Sequence, residues 1–265
     1  MRSEKKLLVV LLFLVATCGC CLFAPLTAVG NMASHGANDF QNQCDSAIGP
    51  DPSSTVTATP AQPSRTVVSQ APLPSTNPYS SMTVAADDPN ISDRYRACVA
   101  ALKSAPYQAP GAIQMPNAGV AAACAQQLAL RYAQGGAGDP AGLARDVVYA
   151  ASSAALTGQC IVIQAPPGAD AVPSGCGDPN GPRRLVVLPP TVGQQGYCGQ
   201  QVVASAVTAG DLVFWDYRDN AATRVGIAVS PMEMVTGNSG GGAFFRLPIP
   251  ETRDVRVKRV LGGDV

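Results

Sequence analysis

At 265 residues, with 46% hydrophobic and only 5% aromatic residues, the chain is long enough for one ordinary domain plus appendages. Lys and Arg total 18 against 18 Asp and Glu, and no basic block occurs, which excludes nucleic-acid binding through an electrostatic footprint. The single histidine, His35, and the absence of C-x-x-C spacing beyond residue 30 argue against a structural zinc site, so neither metal nor cofactor is expected.

The first segment, 1–30, sets the compartment. Arg2, Lys5 and Lys6 precede an apolar run from Leu7 to about Val29, which has the length of a membrane span and exceeds a signal h-region. The positive flank keeps the N-terminus inside and exports the rest. The segment reads first as an uncleaved single-pass anchor with an extracytoplasmic C-terminal domain. A cleaved signal, giving a secreted protein, and lipid attachment at Cys18 are the alternatives. Residues 31–91 are rich in Pro, Ser, Thr and Ala without helical or strand period, and are expected to form a disordered stalk.

Order is expected over 92–265. Ser92 or Asp93 caps a short helix through SDRYRACVAALKS; a second helix fits about Asn117 to Tyr132; a third fits Pro140 to about Leu156, with Asp139 as its cap. Residues 157–199 are loop-rich, with CIVI and RRLVVLP the strand-like runs. Strands follow at 211–217, 223–230, 232–237, 242–248 and 254–262. Helices followed by strands define an α+β domain. Of nine cysteines, Cys44, Cys98, Cys124, Cys160, Cys176 and Cys198 lie beyond the apolar segment, an even number suited to disulfides in an oxidising compartment. Six allow fifteen connectivities; Cys98–Cys124 and Cys160–Cys176 are local guesses among them.

Two stretches resemble the NlpC/P60 family of papain-like cell-wall peptidases. In LALRYAQGGAGDPAGLARDVVYAA, Tyr132, Gly135, Gly136, Asp139, Gly142, Leu143 and Tyr149 fit the pattern that precedes and follows the nucleophile of that family. In AGDLVFWDYRDNAATRVGIAVSPMEMVTG, residues Gly210 to Phe214 and Val225 to Ile227 fit the strands around its histidine. The resemblance implies N-terminal helices packed on a C-terminal antiparallel meander sheet or partial barrel. It also implies that the chemistry is gone. The nucleophile position is Pro140, the histidine position is Arg224 and the third polar position falls near Thr236. A thiolate is stabilised at a helix N-terminus and activated by an imidazole. Proline offers no nucleophile, and arginine stays protonated and cannot serve as a base.

The expectation is therefore an exported, membrane-tethered, non-catalytic module that binds peptidoglycan or an envelope protein. Arg224 would pair with a carboxylate, Trp215 would stack on a ligand, and Thr236 and Asn238 would line the former cleft. Ordinary roles compete for each: an ion pair of Arg224 with Asp216 or Asp219, burial of Trp215, a strand end at Thr236 and Asn238. One alternative is a peptidoglycan hydrolase with a displaced nucleophile such as Cys198, which reads more simply as a disulfide partner. Another is a structural role in an envelope assembly. The run NSGGGA lacks the phosphate-loop pattern and reads as a glycine turn.

Overall fold

The computed structural model describes residues 37–51, 74, 76–108, 112–167 and 176–263. Residues 37–42 begin a helix, α1, that spans 37–48. The expected membrane segment at 1–30 and most of the central stalk, 52–73, lie outside the described residues. Among the described residues no helix is long and apolar enough to cross a membrane.

Three helices of ten residues or more follow: α2, Asp93–Leu102; α3, Val120–Ala133; and α4, Pro140–Thr157. Local chemistry sets their ends. The Ser92 side chain accepts from the Tyr95 amide and the Asp139 side chain from the Gly142 amide, each meeting an otherwise unpaired donor of the first turn. Gly158, in the left-handed region at φ 74°, closes α4 by donating to Ala154 O. Helix α3 starts three residues later than Asn117. The Asn117 side chain is drawn instead to Leu261 O at 3.1 Å and its amide to Thr208 Oγ1 at 3.1 Å, so it serves tertiary structure and Gly119 takes the cap position. On α3 the buried Ala121, Ala125 and Ala129 form a stripe of small side chains, and α4 contributes the buried Ala144, Val147 and Ala151. Small residues at helical spacing let the two helices approach closely.

The second half is one six-stranded sheet, antiparallel throughout, in the order β1-β6-β2-β3-β4-β5. Its strands are β1 Gln200–Gln201, β2 Leu212–Arg218, β3 Ala221–Ala228, β4 Glu233–Gly237, β5 Phe244–Pro248 and β6 Arg256–Arg259. Strands β2 to β5 form the expected meander. Strand β6 departs from it by returning to the far side of β2, and β1, absent from the sequence reading, pairs with β6. Asp219 and Asn220 both have positive φ, at 50° and 61°, the requirement of a tight two-residue hairpin loop between β2 and β3. One face of the sheet packs Leu212, Phe214, Val225, Ile227 and Val235 against α3 and α4. The other carries a smaller cluster of Val213, Ala228, Met234 and Val257, with Trp215 packed at its margin. Asp216 has φ 54°, and beyond it the faces exchange, so that Tyr217 and Ala222 join the helix-side core.

The sulfurs pair as Cys44–Cys98, Cys124–Cys160 and Cys176–Cys198. All six expected cysteines are thus bonded, while both guessed local pairs are corrected: proximity in sequence does not decide pairing when helices carry the partners apart. The expected stalk is corrected where it is described. Cys44 is bonded to Cys98 on α2, and Gln43 forms a two-way bond with the Gln108 backbone at 2.9 and 3.1 Å. Arg94 reaches Asp45 and Gly49 O, and Arg96 binds the carbonyls of Ala85, Asp88 and Ile91. Composition missed this order because side chains of the following domain, not apolar burial alone, fix it. The strand-like runs CIVI and RRLVVLP join no sheet: residues 159–167 and 182–189 have no regular structure. A four-residue helix, α5, Val192–Gln195, closes the segment.

Candidate functional site

A pocket of about 310 Å³ opens where α3 ends, lined by Arg131, Tyr132, Gly135, Gly136 and Val162. The last turn of α3 supplies Arg131 and Tyr132. The loop to α4 supplies the glycine floor and is sewn to the β4–β5 turn by Gly138 N to Gly242 O at 2.9 Å and Phe244 N to Gly136 O at 3.1 Å. The Tyr132 ring stands edge-on to Phe244, with centroids 5.9 Å apart. Glycine is needed at 136, where a Cβ would lie 2.7 Å from the Tyr132 ring, whereas a side chain at 135 would point into open space. Burial, followed by the Asp146 carboxylate, raises the Tyr132 hydroxyl pKa, and Arg131 works against both. Arg131 is exposed, and among the described residues its guanidinium makes no hydrogen bond or ion pair.

The residues expected to form a cleft are divided by the fold. Pro140 is buried at the start of α4, on the helix side of the sheet. Arg224 pairs across strands with Trp215, and alternation from the core residue Val225 turns it to the face away from the helices. Arg224 and Trp215 are therefore brought together, but not with Pro140. Thr236 is 2% exposed and its hydroxyl donates to Val225 O at 2.7 Å. Asn238 is exposed in the turn, its carbonyl accepting from Gly241 N. The salt-bridge partner of Asp216 is Arg218, at 3.2 Å, rather than Arg224. The Arg218 and Thr223 side chains hold the Asp216 carboxyl below its usual range, with Arg224 a weaker contributor.

Cys198 is fully buried and bonded to Cys176, the disulfide role that the sequence favoured for it, so its sulfur is no thiol and cannot be the alternative's displaced nucleophile. Among the described residues no group of three or more His, Cys, Asp or Glu is arranged to hold a metal ion. The pocket thus combines an aromatic wall, a cation, an apolar edge and an open glycine floor, which suits binding of a small polar group carrying negative charge. Arg131 and Val162 were missed in the sequence. Arg131 reads there as an ordinary last-turn helix residue, and Val162 is held at the pocket by contacts remote in sequence, the Cys124–Cys160 bond on one side and the Ala165–Asp146 hydrogen bond on the other. No family model matches the chain, and no curated protein matches it either.

Proposed function

We propose that the chain is an exported, membrane-tethered, non-catalytic module of papain-like type that binds peptidoglycan or an envelope protein at the Tyr132 pocket. The observation that carries this reading is the coincidence of pocket and motif. Tyr132, Gly135 and Gly136, which fit the first half of the NlpC/P60 pattern, line the 310 Å³ pocket, while Pro140 beyond them offers no nucleophile. The three disulfides support export, since such bonds persist in oxidising compartments. The apolar run at 7–29 supports tethering.

The test is co-sedimentation of the full chain, in mild detergent, with purified peptidoglycan sacculi across a range of salt, followed by muropeptide analysis. Saturable retention without new muropeptides is expected, and Gly135→Trp, whose Cβ has open space and whose ring would occupy the pocket, should abolish retention. New muropeptides would overturn the non-catalytic reading. Retention lost instead in Trp215→Ala or Arg224→Ala would move the site to the opposite face of the sheet.

A further inference from the structure

The run Ile161, Val162, Ile163, Gln164 has the composition of a strand but no partner strand. From 159 to 167 the chain passes without helix, turn or bend. Among the described residues no amide or carbonyl of 161–164 takes part in a hydrogen bond. Ile161 and Val162 are 53% and 46% exposed. The run is nevertheless fixed at both ends. Cys160 is bonded to Cys124 of α3; Ala165 N donates to Asp146 Oδ1 at 2.9 Å, and Arg145 of α4 donates to Pro166 O. Val162 forms one edge of the Tyr132 pocket, and the charged residue lining that pocket is Arg131.

We propose that residues 161–164 are a docking strand for an extended, acidic peptide segment of an exported partner protein, which pairs its backbone along this run and sets a carboxylate against Arg131. This inference rests on the Tyr132 pocket being the binding site. Main-chain pairing supplies affinity in such complexes and side-chain pockets supply selectivity. A run already pinned by a disulfide and by α4 loses little further freedom on binding. The cation in the pocket chooses the sign of the ligand: a guanidinium gives a carboxylate a two-pronged bond and repels lysine.

The experiment uses the full chain in mild detergent and fluorescein-labelled octapeptides of alternating valine and glutamate, followed by anisotropy. Saturable binding is expected, weakened about tenfold or more, about 1.4 kcal/mol, in each of three comparisons: lysine for glutamate in the peptide, N-methylation of its alternate amides, and Arg131→Gln in the protein. Amides 161–164 should exchange more slowly with peptide bound. Unchanged exchange at 161–164, or equal binding of the N-methylated peptide, overturns the proposal. Failure of the peptide with intact retention on sacculi overturns this inference alone; failure of both overturns the pocket reading.

Discussion

The sheet with α3 and α4, and the described residues between Gly158 and Gly199 (158–167 and 176–199), belong to one domain but reach order by different means. The sheet is built from repeated backbone pairing over a continuous apolar face, and the buried Arg259–Asp211 ion pair is fully satisfied. Arg259 grips Asp211 with Nε–Oδ1 and Nη2–Oδ2 both at 2.8 Å and also binds Ala206 O, Met115 O and Thr208 Oγ1. Burial pushes the Asp211 carboxyl up, while Arg259 and the Thr208 amide pull it back. Among the described residues of 158–167 and 176–199 there is no such repetition. They are pinned by single contacts to α4 (Arg145, Asp146 and Ser152) and by two disulfides, Cys124–Cys160 and Cys176–Cys198. Cooperative order should fail globally when its network is cut, and pinned order should fail locally.

The largest effect should come from Asp211→Ala. It leaves a buried guanidinium without its carboxylate, which costs about 3–5 kcal/mol, and the whole urea transition should shift as one. Next is the double variant Cys124→Ser, Cys160→Ser. The bond spans 36 residues, and its loss should cost about 3–4 kcal/mol in the chain-entropy account. Here the comparison is sharpened by hydrogen exchange: the Ala165 amide, bonded to Asp146 Oδ1, should lose far more protection than those of β2 and β3. Uniform loss of protection would break the distinction.

Lys258 lies where the two regions meet. It is wholly buried, and its Nζ donates to Gly196 O at 2.6 Å, with no carboxylate paired to it among the described residues. Burial, reinforced by Arg256, lowers its pKa to about 7. The unfolded chain holds that proton to about pH 10.4, so between these values the unfolded state binds more protons and stability rises with pH. The contribution is smallest and flat below pH 7, then grows by about 1.4 kcal/mol per unit. Urea titrations should therefore show the protein about 2–3 kcal/mol more stable at pH 9 than at pH 7. Lys258→Met should remove that slope and exceed the wild type at pH 6. A wild-type stability that falls from pH 7 to 9 would refute this account.

The same division explains what could be read in advance. Helices α2 and α4 were legible because Ser92, Asp139 and Pro140 act on their own first turns, and strands β2 to β5 because their strand-forming runs are local signals. Strand β1 is two residues long, and nothing in Gln200–Gln201 marks it apart from its pairing with β6. The disulfides were legible in number but not in partner, since Cys44 and Cys98 are 54 residues apart in sequence and only the fold brings them together. For the candidate site, Tyr132 and the two glycines were legible as a motif. The separation of Arg224 from Pro140 was not, because it depends on which face of β3 residue 224 occupies.

Ser152 gives the smallest effect and the most direct test of pinned order. Its hydroxyl donates to Tyr149 O at 2.8 Å within α4 and accepts from the Val186 amide at 3.0 Å, and both Ser152 and Val186 are buried. Alanine keeps the helix, since it has the highest helical propensity. It leaves the buried Val186 amide unpaired at a cost of about 1–3 kcal/mol. If the 158–199 segment is held contact by contact, that cost is met by opening around Val186, whose exchange should accelerate about tenfold or more, the equivalent of about 1.4 kcal/mol. The β2 and β3 amides and the urea midpoint should move little. A midpoint shift with no selective gain in exchange at Val186 would mean that the segment and the sheet unfold as a single unit.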